Sequence, residues 1–138
     1  MNISQRKEEL INELKSISDK DERLRYIIEQ GKAMPAMDPS LKIEPFMVKG
    51  CISKAWLAPQ KQGERIHFHA DSEAMIVKGI IALLLRVYND STPDEIITTE
   101  SDFLTTVGVT DHLSMNRRNG LSNILKMMKT YAAAFRGA

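Results

Sequence analysis

Ten apolar residues between positions 74 and 87 constrain this chain most. Ala74, Met75, Ile76, Val77, Ile80, Ile81, Leu83, Leu84, Leu85 and Val87 fall on nearly every side of a helix. A helix that is apolar almost all round must be covered almost all round. Lys78 and Arg86 interrupt the stretch, which leaves it short of the roughly 20 uninterrupted apolar residues that a membrane span needs. It therefore predicts the central helix of a water-soluble core, opened by Asp71 or Ser72 and running to about Tyr88. The rest of the chain has to supply the cover. Leu10, Ile11, Leu14 and Ile17 recur at helical spacing, predicting an amphipathic helix over residues 4–17. A second helix follows at once, with Asp19 as cap, Glu22 in the capping-box place, Leu24, Ile27 and Ile28 as its apolar face, and Gly31 as its stop. The short link between the two predicts an antiparallel pair.

Pro35, Pro39 and Pro45 then exclude a regular helix. Three short strands are expected, over residues 46–48, 54–59 and 65–70, with a hairpin loop at 60–64 around Gly63. Short links favour an antiparallel meander. After the central helix, Asn89-Asp90-Ser91 ends it and Thr92-Pro93-Asp94-Glu95 starts another, with Thr92 as cap and Glu95 in the capping-box place. A short helical stretch is expected around Phe103 and Leu104. Leu121, Ile124, Leu125, Met128, Ala132 and Phe135 mark a last amphipathic helix, whose C-terminal end Lys126, Lys129 and Arg136 favour electrostatically. The expected fold is α+β: a small antiparallel three-stranded sheet covered by helices, with a long buried central helix, in one domain over residues 1–138.

Charge and cysteine usage narrow the function. With 19 basic against 18 acidic residues and a net charge of +1, the chain lacks the basic excess of a general polyanion binder, so neither nucleic acid nor membrane is an expected partner. The first residues, MNISQRKEELINEL, carry no long apolar run and do not form a secretory signal. One cysteine makes no internal disulfide and no dithiol redox pair. A reduced, cytoplasmic setting is expected.

That cysteine, Cys51, sits in Val48-Lys49-Gly50-Cys51-Ile52-Ser53-Lys54-Ala55-Trp56. Gly50 permits a bend that other residues resist and lets a partner's backbone approach. Lys49 and Lys54 flank the thiol, and nearby positive charge favours the reactive thiolate. Free cysteine is also among the most buried residue types. By pattern alone a structural thiol and a reactive loop thiol both stay open.

Four pieces of sequence, in order, resemble the SufE family of sulfur acceptors. Gly50-Cys51-x-Ser53-x-x-Trp56 is similar to its active-site motif. Asp71-Ser72-Glu73-Ala74, followed by Ile76 and Lys78-Gly79, resembles the start of its central helix. Arg117-x-Asn119-Gly120-Leu121 resembles the pattern before its last helix, and Tyr26-Ile27-Ile28-Glu29-x-Gly31 its second helix. Ile52, Lys54, Ala55 and Arg118 depart from the family's familiar residues, which bears on partner preference. The resemblance implies that Cys51 takes a persulfide sulfur from a PLP-dependent, SufS-like cysteine desulfurase, stimulates that enzyme, and passes the sulfur to an iron–sulfur assembly scaffold. The chain would then be a co-substrate and activator rather than a stand-alone enzyme. It would bind no cofactor of its own, the PLP belonging to the desulfurase, and a homodimer is left open. A lone cysteine suits this role, because a second thiol would attack the persulfide and release its sulfur.

Arg117, Asp71 and Trp56 each have two readings, and Glu73 and Lys78 one. Arg117 stabilises an anionic sulfur or binds the partner, or is a surface charge beside a helix start. Asp71 is a helix cap or a partner contact. Glu73 stands where a helix dipole favours it. Lys78 snorkels from an apolar stretch. Trp56 packs in the core, or with Ile52 walls a pocket for the cysteine. Gly50, Ser53 and Lys49 complete the candidate set.

Three other functions compete with this reading. His67 and His69 share a strand face and, with Cys51 and His112, offer zinc ligands, but without tight ligand spacing, so no metal is expected. A cysteine-nucleophile enzyme needs a histidine base beside Cys51, and no local signature supports one. A non-catalytic adaptor that regulates a desulfurase, or a paralogue supplying another sulfur pathway, is the closest alternative.

Overall fold

The computed structural model describes residues 1–50 and 53–136. At its centre is α3 (Met75–Tyr88). Ile80, Ile81, Leu83, Leu84, Val87 and Tyr88 are each at most 1% exposed. Burial lifts the Tyr88 hydroxyl to a pKa of about 12, helped by the nearby charges of Glu100 and Asp102. Met75, on the first turn, is the departure from all-round burial and lies exposed.

Helices α1 (Ile3–Lys15) and α2 (Lys20–Ala33) both lie against it. Asp19 caps α2 by accepting the Glu22 N–H at 2.9 Å. Gly31 is not the stop expected from the sequence. Pro35 forces Met34 out of helical geometry, to ψ 136°, and ends the helix there. Gly31 serves a close crossing instead. A Cβ on it would lie 2.7 Å from the backbone nitrogen of Gly79 in α3, and a Cβ on Gly79 would overlap the Ile27 carbonyl. The two backbones therefore touch. Beside the crossing, Arg86 of α3 donates to Glu13 of α1 (2.9 Å) and to the Tyr26 hydroxyl of α2 (2.8 Å), and Tyr26 in turn donates to Glu13.

The sheet has two strands, not three. β1 (Ala55–Gln62) and β2 (Arg65–Ser72) form one antiparallel hairpin. Gly63, the first residue of its two-residue turn, has φ +62°, the sign that a hairpin twist demands there. The third expected strand, at 46–48, contributes a single bridge, Met47 to Trp56, with the Val48 N–H donating to the Ala55 carbonyl at 2.8 Å. Two features stop the ladder. Glu44–Phe46 coils into a short 3-10 turn in which the Phe46 and Met47 N–H groups donate to the Ile43 and Glu44 carbonyls. Pro59 then leaves the outer edge of β1 without a donor two residues beyond Leu57.

The start of α3 also differs from expectation. β2 runs through Asp71 to Ser72, which pair with Trp56 and Ala55, so neither opens the helix. Its cap position is Ala74, with no side-chain cap. The Ser72 hydroxyl accepts the Ala74 N–H at 3.2 Å and donates to the Lys54 carbonyl at 3.1 Å.

After α3 come α4 (Pro93–Thr98), α5 (Phe103–Thr106) and α6 (Met115–Arg136). Thr92 and Glu95 make the reciprocal capping box. Arg136 stands in the last turn of α6 as expected, and it and Lys129 also tie α6 to α4. Lys129 donates to the Ile97 and Thr99 carbonyls, and Arg136 pairs with Asp94 at 3.1 Å. One apolar cluster joins α1, α2, α3, α4, α5, α6 and one face of the hairpin. A smaller one, of Met37, Trp56 and Ala58 with Leu41, Phe46 and Met47, covers part of the other face.

Candidate functional site

The two strands alternate strictly between these faces. Ala55, Leu57, Ile66, Phe68 and Ala70 turn to the main core, while Trp56, Ala58, His67, His69 and Asp71 turn away from it. The candidate residues near the start of β1 are sorted by this alternation.

Cys51 and Ile52 lie outside the described residues, so the site is built from what flanks them. The Val48–Ala55 hydrogen bond closes the base of the loop. Lys49 and Lys54 stand exposed on its two limbs. Gly50 has φ +81°, and a Cβ there would overlap the side-chain amide of Asn123 on α6. Only glycine meets both demands without strain. Asn123 was not among the candidate residues; its approach to Gly50 is across more than 70 positions and leaves no local pattern.

Ser53 and Arg117, far apart in sequence, meet at one recess. Its walls are Val77 and Ile80 of α3, Leu113, and Gly120, Leu121 and Ile124 of α6, with Asn116 beside Arg117 at its polar side. The space inside is small, about 20 Å³. Ser114 starts α6 by accepting the Arg117 N–H at 3.3 Å, which sets Arg117 on the first turn, half-buried. Among the described residues its guanidinium makes no ion pair.

Trp56 is elsewhere. It is buried in the smaller cluster on the opposite face of the hairpin and does not line this recess. Its indole N–H is buried without an acceptor among the described residues. Asp71, directly across the ladder from it, is bound by Lys42 (2.6 Å) and Lys78 (3.2 Å), and the Lys42 ammonium lies 5.4 Å from the indole centre. Burial works to raise the Asp71 pKa, but hydrogen bonds from Lys42, the Ser72 N–H and Lys78 outweigh it and hold the carboxyl below its ordinary value. Lys78 thus carries an ion pair rather than only reaching for water. Glu73 is exposed ahead of α3, not in its first turn, and its N–H donates to the Lys54 carbonyl at 3.0 Å. The turn from β2 into α3 is therefore tied to the far limb of the cysteine loop.

The three histidines do not gather around that loop. His67 and His69 lie on the outer hairpin face with ring centres 5.0 Å apart, and His112 is near Arg23 and Lys20. Burial, then the neighbouring His67, push the His69 imidazole below its ordinary pKa. Among the described residues no three His, Cys, Asp or Glu side chains converge as metal ligands, and no helix is long and apolar enough to cross a membrane.

Known proteins resemble this chain along most of its length. The fold matches a solution structure of a hypothetical protein from Thermus thermophilus with a TM-score of 0.82, at 17% identity, over 96% of this chain and 97% of that one. An uncharacterized SufE-like protein of Synechocystis sp. is 35% identical over 118 residues, 86% of this chain and 74% of that protein. SufE-like protein 1 of Arabidopsis thaliana, described as chloroplastic/mitochondrial, is 29% identical over 91% of this chain and 34% of its own length. The model of the SufE family, described as an Fe-S metabolism associated domain, matches residues 8–132. With nearly the whole chain matched, this protein belongs to the SufE family.

Proposed function

We propose that this protein is a sulfur acceptor in iron–sulfur metabolism, with Cys51 as the carrier of sulfur from a PLP-dependent cysteine desulfurase. The observation that carries the reading is the setting of the Gly50-Cys51 sequence in a SufE-family chain. The preceding glycine is turned left-handed against α6, the loop base is closed by one backbone bond, and Ser53 opens onto an apolar recess edged by Arg117. Lysines on both limbs favour the thiolate over the thiol.

The step is a thiol–disulfide exchange. The Cys51 thiolate attacks the outer sulfur of the desulfurase persulfide, Cys–S–SH. A new S–S bond forms on Cys51, the old one breaks, and the electron pair leaves on the desulfurase cysteine as thiolate. The outer sulfur keeps its proton, so charge and atoms balance. The Arg117 guanidinium, beside the recess, suits an anionic sulfur held there. Apolar walls of this kind would keep water and oxidants from a sulfur that entered the recess. Delivery to an iron–sulfur assembly scaffold is the following exchange, with the scaffold thiolate as attacker.

The test is the intact mass of the protein after incubation with a cysteine desulfurase, PLP and cysteine, without reductant. A gain of roughly one sulfur atom, absent from Cys51→Ser, is expected. If Cys51→Ser still accelerates the desulfurase as the parent does, the protein is an adaptor and the acceptor reading fails.

A further inference from the structure

On the outer face of the hairpin, away from the recess at Ser53, a groove of about 460 Å³ runs between β2, α3 and the chain after α2. His67 and His69 both line it. Each imidazole has one nitrogen already engaged. Nδ1 of His67 lies 3.0 Å from the Asp90 carboxylate, which can only accept, so that nitrogen carries the proton. Nε2 of His69 lies 2.7 Å from Oε1 of Gln60, so there the proton is on Nε2. In the neutral rings these bonds favour those tautomers. They leave Nε2 of His67 and Nδ1 of His69 as lone-pair donors. A carboxylate or amide oxygen behind the ring is the usual support of a metal-binding histidine.

The spacing of the rings agrees with this chemistry. Metal–nitrogen bonds of about 2.0–2.1 Å on a tetrahedral ion put two ligating imidazoles about 5 Å apart, centre to centre. His67 and His69 stand 5.0 Å apart at an interplanar angle of 66°. We propose that His67 and His69 form an exchangeable site for a divalent transition cation of the zinc type, with Asp90 and Gln60 orienting the rings. Two protein donors leave two coordination positions, and the groove has room for water or a small donor molecule to fill them. This groove shares no lining residue with the recess at Ser53.

Calorimetric titration of Zn²⁺ into Cys51→Ser protein tests this with the competing thiol removed. One ion per chain is expected. His67→Ala and His69→Ala should each weaken binding by more than tenfold, Asp90→Asn by about tenfold, and His112→Ala should leave it unchanged. Circular dichroism of each variant checks that the hairpin still folds. Imidazole nitrogen NMR should show the ion on Nε2 of His67 and Nδ1 of His69. No binding to Cys51→Ser, or binding retained in the double variant His67→Ala/His69→Ala, overturns the proposal.

Discussion

The two faces of one hairpin obey different rules. The inner face is Ala55, Leu57, Ile66, Phe68 and Ala70, pressed onto α3 and α6 and almost wholly removed from water. The outer face carries Trp56, Ala58, two histidines and Asp71, and is only partly covered. Burial stabilises the first, where each side chain contributes in proportion to the apolar area it hides. The second depends on specific pairs: Asp71 with two lysines, His67 with Asp90, His69 with Gln60. On this hairpin, charged and polar partners gather where packing is incomplete.

The largest expected contrast breaks the comparison at neighbouring positions. Phe68→Ala should lower unfolding stability by about 3–5 kcal/mol. His69→Ala, one residue on, should stay within about 0.5 kcal/mol. Urea denaturation measures both, and equal losses would dissolve the distinction between the faces. Gly79→Ala tests the frame beneath the inner face. Despite the better helix propensity of alanine, the overlap with Ile27 should cost about 1–3 kcal/mol by the same measurement. Gly50→Ala, at the loop where the faces begin, should cost about 1–2 kcal/mol for its left-handed backbone. It should also displace the loop from Asn123, read as a changed alkylation rate at Cys51. The smallest effect sharpens the outer face. Asp71→Asn should lose about 1 kcal/mol at pH 7. Because the folded-state pKa of Asp71 lies below the unfolded value of about 3.9, the parent holds this contribution above that pH and loses it as pH falls through the folded pKa. The gap between parent and variant should therefore close in strongly acidic urea titrations.

Features set by neighbours in the chain were readable in advance. The caps at Asp19 and Thr92, the buried α3 and the hairpin at Gly63 all follow from residues within a few positions. Features set by distant contacts were not. Gly31 has the look of a helix stop, but its reason is Gly79, and the stop belongs to Pro35. Residues 46–48 have strand composition, but whether a ladder continues depends on the turn before them and on Pro59 further along the facing strand. Asp71 resembles a cap because a helix begins nearby, yet the strand pairing with Trp56 holds it. At the site, the residues were named from the family motif, but their sorting required the fold. Ser53 and Arg117 came to one recess, Trp56 went to the opposite face, and Asn123 entered without any signal.

At the crossing of α2 and α3 nothing stands between two backbones. A contact made by side chains has play in it, because a rotamer change absorbs a small push. Backbone against backbone has almost none, so the separation of the two rods works as a hard stop. Lys78 adjoins that stop and reaches Asp71 from it, which fixes the height of the β2–α3 turn and hence of the Lys54 limb tied to it. A molecule pressing on this end of the protein would meet a firm mounting beneath the Lys54 limb.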